Sequence, residues 1–255
     1  MCRLKYFILL ITLSLAACNK NTDQVKSSLN SAAAQVLKEN ILAYADSINN
    51  LPKAAIKQES LIYSLGDYSF HVSRYIRKSE ICLYIEHGKS GDYGYTEKRY
   101  YMKDGQVALL LHNSKNTQVY LPFKTERRFY KNGKIVYSDR REARTRKGLS
   151  LLQFQQNEVP SEDIVYDMNK LNDAIYQRGS FDLVFDGIAQ FPKAKYLILS
   201  KKNFNAYRAP ILVEKKDEFI EALFSNPEKY KGRKLKITWA LREPNEAIYV
   251  SGGLP

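Results

Sequence analysis

Apolar residues recur every three to four positions between residues 23 and 50, close to the repeat of an α-helix. The positions concerned are Leu29, Ala33, Leu37, Ile41, Ala45 and Ile48. Pro52 lacks a backbone donor and ends the pattern. The sequence therefore predicts a helix of about 27 residues. We expect its apolar stripe to pack against the sheet that follows rather than to act as a free spacer.

From about residue 61 to residue 142 the pattern changes to alternation with a period of two, which is typical of half-buried β-strands. Two turns stand out, Asp104-Gly105 and Asn132-Gly133, because these pairs readily adopt the positive φ angles of type I′ turns. We therefore predict an antiparallel β-meander. Residues 99–107 and 128–135 look like two copies of one hairpin, and they resemble the Tyr-x-x-x-Gly hairpins of MORN-type repeat proteins.

A second helix is predicted after Pro160, with Ser161 as its N-cap and Gly179 as its C-terminal cap. Its buried stripe would consist of Ile164, Met168, Leu171 and Ile175. Three strands, a helix and two further strands follow, over 181–191, 195–201, 209–214, 217–225, 234–241 and 247–251. This order resembles that of the OB-fold and implies a small β-barrel.

The resulting fold class is α+β: an N-terminal helix, an antiparallel β-meander domain, and then a helix with a small OB-like barrel. The predicted segments are 1–17, 18–56, 57–148 and 161–255, with a boundary between about residues 148 and 160. An SH3-like barrel or an open α+β sheet would show nearly the same order of elements at the C-terminal end.

The first seventeen residues have the form of a leader. Arg3 and Lys5 precede an apolar run over 6–15, which is too short to span a bilayer as a helix. The run ends at Leu15, Ala16, Ala17 and Cys18, which resembles the lipobox of bacterial lipoproteins. An ordinary secretory signal cut after Ala17 is the alternative.

The lipoprotein resemblance implies that Cys18 receives a diacylglycerol and becomes the new N-terminus. It also implies an outer-membrane location in the cell envelope, since Asn19 is not the aspartate that retains enterobacterial lipoproteins in the inner membrane. Two or three acyl chains would make this a permanent tether.

Charge and cysteine content fit an exported protein but do not identify a partner. Loss of residues 1–17 would lower the formal charge from +13 to +11, because Arg3 and Lys5 leave with them. Such a charge attracts lipid phosphates, anionic glycans or nucleic acid, or simply keeps the domain soluble. Cys82 would be the single remaining thiol, and we expect it to be a buried apolar residue.

No catalytic or metal-binding pattern is recognisable in the sequence. His71, His87 and His112 are isolated from other ligand types, and no cofactor motif is present. Cys82 and His87 are five residues apart on one predicted strand, which would put them on opposite faces. A tight turn at Lys78 and Ser79 would place Cys82 opposite Tyr75, away from His71.

Aromatic and basic residues share faces in the predicted hairpins and give the best candidate contact surface. These residues are Tyr93, Tyr95, Arg99, Tyr101, Arg128 and Tyr130. Such a surface suits anionic glycans or single-stranded nucleic acid, although location makes nucleic acid unfavourable. A basic cluster, Arg140, Arg141, Arg144, Arg146 and Lys147, is either a binding edge or a solvated strand end.

The sequence thus predicts a lipid-anchored envelope protein of non-enzymatic binding or scaffolding type, without cofactor or metal. The membrane would be its first partner, and another envelope protein or an anionic glycan its second. Two other classes stay open: an envelope hydrolase with a scattered active site, and an inhibitor or immunity protein for an acidic envelope partner.

Overall fold

A computed structural model describes residues 31–50, 55–159, 164–201, 205–242 and 246–255. Cys18 with the whole leader, Pro52 and the predicted N-cap Ser161 lie outside these residues. The helices are α1 (Ser31–Asn49), α2 (Arg146–Leu151), α3 (Ile164–Tyr176) and α4 (Glu218–Ser225). No helix within the described ranges is long and apolar enough to cross a bilayer.

Strands dominate the rest of the described chain. They are β1 (Ile56–Glu59), β2 (Tyr63–Leu65), β3 (Tyr68–Arg77), β4 (Glu80–Ser90), β5 (Gly94–Lys103), β6 (Gln106–Asn116), β7 (Phe123–Lys131), β8 (Lys134–Ala143), β9 (Gln155–Gln156), β10 (Val184–Phe191), β11 (Ala194–Ser200), β12 (Arg208–Leu212), β13 (Lys236–Arg242) and β14 (Glu246–Gly253). These strands form one mostly antiparallel sheet, so the α+β class is confirmed. The neighbours run β10-β11-β12-β2-β3-β4-β5-β6-β7-β8-β9, with β1 beside β3 and with β14 joining β12 to β13.

The sheet is not closed into a barrel, so the expected small OB-like barrel is wrong. The order of elements after α3 is the predicted one, but β12 uses its second edge to pair with β2 and β14. Within the described residues β10 pairs with β11 alone and β13 with β14 alone. The C-terminal strands therefore extend the meander sheet instead of curling back on themselves.

Strands β3 to β8 form three consecutive hairpins of one design. The predicted turns at Asp104-Gly105 and Asn132-Gly133 are confirmed, with both residues of each at positive φ. Lys78-Ser79 adopts the same conformation. Each hairpin shifts its register shortly after the turn, and the residues extra to the pairing are Cys82, Ala108 and Val136. Each bulge adds twist to the sheet.

Helix α1 covers one face of the meander. Its residues Ile41, Ala45 and Ile48 are buried against Leu83, Tyr101, Leu109 and Phe129 of the sheet. Residues 23–30 of the predicted helix lie outside the described residues. Cys82 is buried in this same cluster, and its Sγ lies 3.4 Å from the Tyr75 carbonyl oxygen. The expected pairing of Cys82 with Tyr75 is wrong, because the bulge at Cys82 puts Leu83 opposite Tyr75. Burial raises the pKa of the Cys82 thiol.

Helices α3 and α4 cover the opposite face and share one large core with the C-terminal strands. Leu171 and Ala174 of α3 are fully buried there, and Ile164, Met168 and Ile175 pack with them as expected. The predicted cap Gly179 is wrong, because α3 ends at Tyr176 and the next residue, Gln177, adopts the positive φ of the cap. Gly179 also has a positive φ, but it lies two residues further on. The Arg178 amide donates to the Asp173 carbonyl and closes that end.

Candidate functional site

A row of polar side chains crosses the six strands β3 to β8 on the α1 face of the sheet, beyond the part that α1 covers. We call it the groove row, and its members are His71, His87, Glu97, Asn113, Thr125 and Arg141. Each residue is directly opposite the next in the strand register from β3 to β8. Side chains in such a row lie close enough to interact.

The first members of the groove row are in contact. The imidazole rings of His71 and His87 stack with their centroids 4.9 Å apart. The His87 Nδ1 lies 3.6 Å from the Glu97 Oε2. The view of these two histidines as isolated is therefore wrong. The bulge at Cys82 also places Cys82 and His87 on the same face, contrary to the expectation from a regular strand.

The middle of the row continues the polar chain. The Asn113 Nδ2 donates to the Glu97 Oε1 at 3.5 Å, and the Thr125 hydroxyl donates to the Asn113 Oδ1 at 2.8 Å. Glu97 also accepts a hydrogen bond from the Arg99 Nε at 2.8 Å. Burial alone would raise the pKa of Glu97, but Arg99 and His87 together lower it. Glu97 therefore stays ionised and fixes the orientation of its neighbours.

His71 lies deeper than His87 and stays neutral. Burial, with the adjacent His87, lowers the pKa of His71 to about 4. Its Nδ1 is buried without a hydrogen-bond partner in the part of the chain that the structure describes. A neutral imidazole can accept or donate one hydrogen bond at each of its nitrogens, so His71 has unused hydrogen-bonding capacity.

Arg141 ends the row with a charge that no carboxylate balances among the described residues. Its Nη1 donates to the backbone oxygens of Ser150 and Leu152, at 3.5 and 3.2 Å, and its Nε is buried without a partner. The guanidinium lies 4.5 Å from the centre of the Phe154 ring. Burial and the nearby Arg127 lower the pKa of Arg141. An anion at this point would favour the charged form of Arg141 and so offset the effects of burial and of Arg127.

The groove row from His87 to Arg141 lines an open groove of about 1030 Å³, and His71 lies behind His87 outside this lining. Residues of α2 form part of its wall, where the Arg146 Nη2 donates to the Tyr95 hydroxyl at 2.6 Å. The cationic lining residues are Lys89, Lys115, Lys124, Arg141 and Arg146, and the acidic ones are Asp92, Glu97 and Glu246. Positive charge therefore exceeds negative charge along the groove.

The structure does not bring the six predicted contact residues onto one surface. Tyr93 is exposed in the turn between β4 and β5, and Tyr95 lines the groove. Arg99 and Tyr101 lie at the C-terminal end of α1, where the Tyr101 hydroxyl donates to the Asn49 Oδ1 at 2.9 Å. Arg128 and Tyr130 are buried on the opposite face.

Sequence reasoning missed His87, Glu97, Asn113 and Thr125 as members of a site, and it placed Arg141 only in a basic cluster. In that cluster Arg141 enters the groove wall, whereas Arg140 is exposed and lies 3.7 Å from Glu142. The sequence does show polar residues in each of these strands. It does not show which of them lie opposite one another in the sheet. No group of three or more His, Cys, Asp or Glu side chains within the described ranges could hold a metal ion.

No protein-family model, curated protein or solved structure matches this chain.

Proposed function

We propose that this chain is a lipid-anchored cell-envelope protein of non-enzymatic binding type, and that the groove binds an anionic ligand. The main support is Arg141, a half-buried cation whose Nε has no partner and which no carboxylate balances among the described residues. Buried charges in proteins are normally paired. Arg141 is therefore best explained as one half of an ion pair whose other half is the ligand.

An anionic glycan is the ligand class that we favour. The groove is open, and it combines cations with the hydrogen-bonding groups of His87 and Asn113. A sugar chain that carries carboxylates or phosphates would use both kinds of contact. The ring of Tyr95 in the wall offers an apolar surface for a sugar face.

Binding of a short oligogalacturonate to Arg141→Ala and Arg140→Ala, measured by titration calorimetry at low salt, tests the proposal. These neighbouring arginines carry the same charge and lie on opposite faces of β8. We expect Arg141→Ala to raise the Kd about 10- to 100-fold, as for loss of a charge-assisted hydrogen bond. Arg140→Ala should change the Kd less than about twofold.

Equal weakening by both variants would show that only the overall charge matters, and would contradict a specific site. Failure of the unaltered protein to bind any oligogalacturonate or inorganic phosphate at low salt would contradict the anionic ligand itself.

The support for the tether comes from the sequence alone, namely from the lipobox-like residues Leu15 to Cys18. These residues lie outside the described structure. We expect the mature protein to begin at a diacylglyceryl-modified Cys18. Metabolic labelling with a radioactive fatty acid should label the protein, and Cys18→Ser should abolish the label. An unmodified N-terminus in mass spectrometry, or processing that globomycin does not block, would contradict the tether.

A hydrolase is the second candidate, and the stacked His71 and His87 beside Glu97 favour it. A carboxylate that orients an imidazole is a common arrangement for a general base. Thr125 carries the hydroxyl of the groove row. This hydroxyl donates a hydrogen bond to the Asn113 Oδ1, an arrangement that does not indicate a nucleophile. Release of reducing ends from envelope glycans that disappears in His87→Gln would favour this candidate over simple binding.

A further inference from the structure

The loops at one end of the meander expose apolar side chains that the folded chain leaves uncovered. In the turn between β4 and β5, Tyr93 is 52% exposed, and in the loop between β6 and β7, Tyr120 is 73% exposed. Val119 and Leu121 flank Tyr120 and are also exposed. Large apolar residues clustered at loop tips are unusual on a soluble surface and mark an interaction site.

Hydrogen bonds join these loops to one another. The Thr117 amide donates to the Tyr93 carbonyl oxygen at 2.8 Å, which connects the two loop tips. The Asn116 amide donates to the Pro122 carbonyl oxygen at 2.9 Å and closes the base of the second loop. Tyr93, Val119, Tyr120 and Leu121 therefore belong to one end of the sheet.

Cations accompany the apolar residues. The Arg144 guanidinium lies over the Tyr120 ring at 4.0 Å from its centre, and Arg146 and Lys147 follow in the first turn of α2. All three are exposed. Asp92 is an acidic residue of the same end, so the positive charges exceed the negative ones there. We call this group the loop-end surface: Tyr93, Val119, Tyr120, Leu121, Arg144, Arg146 and Lys147.

We propose that the loop-end surface docks on a lipid bilayer that contains anionic lipids. Tyrosine is enriched at the membrane interface because its ring is apolar and its hydroxyl is polar. Arginine and lysine beside such residues bind anionic headgroups. Loop tips can enter the headgroup region while the sheet behind them keeps its hydrogen bonds. This surface adjoins the groove and shares Arg146 with its wall. Its docking does not depend on a ligand in the groove or on a lipid at Cys18.

Charge and apolar character together favour a membrane over a second copy of the chain. A symmetric dimer through this surface would bring Arg144, Arg146 and Lys147 of both copies together, and like charges repel. An anionic bilayer instead supplies the opposite charge across the whole surface.

Quenching of tryptophan by brominated lipids tests the proposal at single positions in the full chain. The reporter Tyr120→Trp is compared with Phe191→Trp, a position that is 59% exposed on β10, a strand at the edge of the sheet. Trp239 is common to both variants. The comparison is also valid when a lipid at Cys18 already holds the protein at the vesicle, because bromine quenches only a tryptophan on the side that faces the bilayer.

We expect vesicles that contain about a third phosphatidylglycerol to quench and blue-shift the Tyr120→Trp emission at least fivefold more than that of Phe191→Trp. Adding Arg144→Glu and Lys147→Glu should reduce the quenching several-fold, whereas adding the matched change Arg140→Glu should not. Circular dichroism checks that each variant is folded.

Equal quenching at both positions, or quenching that is the same in purely zwitterionic vesicles, would overturn the proposal. A concentration-dependent dimer that Tyr120→Asp abolishes, without quenching by lipid, would also overturn it and would assign the surface to self-association. Loss of glycan binding in the groove would leave this result unaffected.

Discussion

Two rows of polar residues cross the same strands as immediate neighbours in sequence, one on each face of the sheet. The groove row, from His71 to Arg141, lies on the α1 face. The second, the α3-side row, consists of Glu86, Lys98, His112, Glu126 and Arg140, each opposite the next in register. From β4 to β8 the two rows therefore share strand order and distance from the turns, and different elements lie against them.

The protein itself neutralises the buried acids of the α3-side row. Glu86 lies 3.2 Å from the Lys170 Nζ of α3, and Glu126 lies 2.6 Å from the Arg128 Nε and 3.0 Å from the Lys124 Nζ. In the groove row Arg141 contacts backbone oxygens and an aromatic ring, and no carboxylate pairs with it among the described residues. Charges that are paired within the chain serve the fold, whereas an unbalanced cation at the end of an open groove is available to a ligand.

The largest expected effect comes from breaking an ion pair of the α3-side row. Glu126→Gln leaves Arg128 and Lys124 without their common carboxylate, and Glu126 is almost fully buried. Removing one partner of a buried pair costs about 3 kcal/mol of unfolding free energy. Urea unfolding at pH 7 measures it, with the half-exposed Glu142→Gln as a control that should cost less than about 1 kcal/mol. Equal losses of unfolding free energy in Glu126→Gln and Glu142→Gln would contradict the view that the buried ion pair stabilises the fold more than the exposed one.

The next effect is a loss of stability in acid, to which each row contributes one histidine. Burial lowers the pKa of His112 to about 4, with Lys98 adding to the shift, and His71 has a similar value. Unfolded histidine titrates near pH 6.5, so the unfolded chain binds more protons between pH 6.5 and 4. The stability is complete above pH 6.5 and falls toward pH 4, by about 1 to 3 kcal/mol for each histidine.

Urea midpoints measured from pH 7 to pH 4 check this slope. His112→Gln should flatten it, and His71→Gln should do so by a similar amount. A slope that neither substitution changes would show that carboxylates elsewhere cause the acid lability.

The smallest expected effect is the one on stability at Arg141. Arg141→Ala removes two hydrogen bonds to backbone oxygens and the contact with Phe154, but it leaves no carboxylate unpaired. We expect it to cost about 1 kcal/mol, clearly less than Glu126→Gln. A cost of 3 kcal/mol or more in urea unfolding would mean that Arg141 is a structural residue.

The sequence predicted the strands and turns well, but not the groove row. A regular hairpin around Lys78-Ser79 pairs Cys82 with Tyr75 and puts His71 opposite Glu86. The bulge shifts the register by one residue, so that His71 meets His87 instead. Similar bulges after Asp104-Gly105 and Asn132-Gly133 decide that Glu97, Asn113, Thr125 and Arg141 line up. A turn motif specifies the turn, whereas the bulge depends on packing under α1.

The missing barrel has a related cause. The order of strands and helix after α3 follows from the local sequence pattern and was predictable. Closure into a barrel depends instead on which strands pair with the edges of β12. Its pairing with β2 joins Arg208 to Ser64 across most of the chain length. Such long-range pairing is determined by the shared core of Tyr63, Phe181 and Tyr207, whose rings lie within 6.3 Å of one another. Nothing in the local pattern indicates it.

The three histidines allow the most direct test of the groove as the binding site. His71 and His87 belong to the groove row, and His112 belongs to the α3-side row. With histidine-selective isotope labelling, the imidazole signals of the full chain are followed by NMR during titration with oligogalacturonate. We expect the His87 signal, and to a smaller extent that of His71, to shift until saturation while the His112 signal stays in place. A shift of His112 equal to that of His87 would contradict the groove as the binding site.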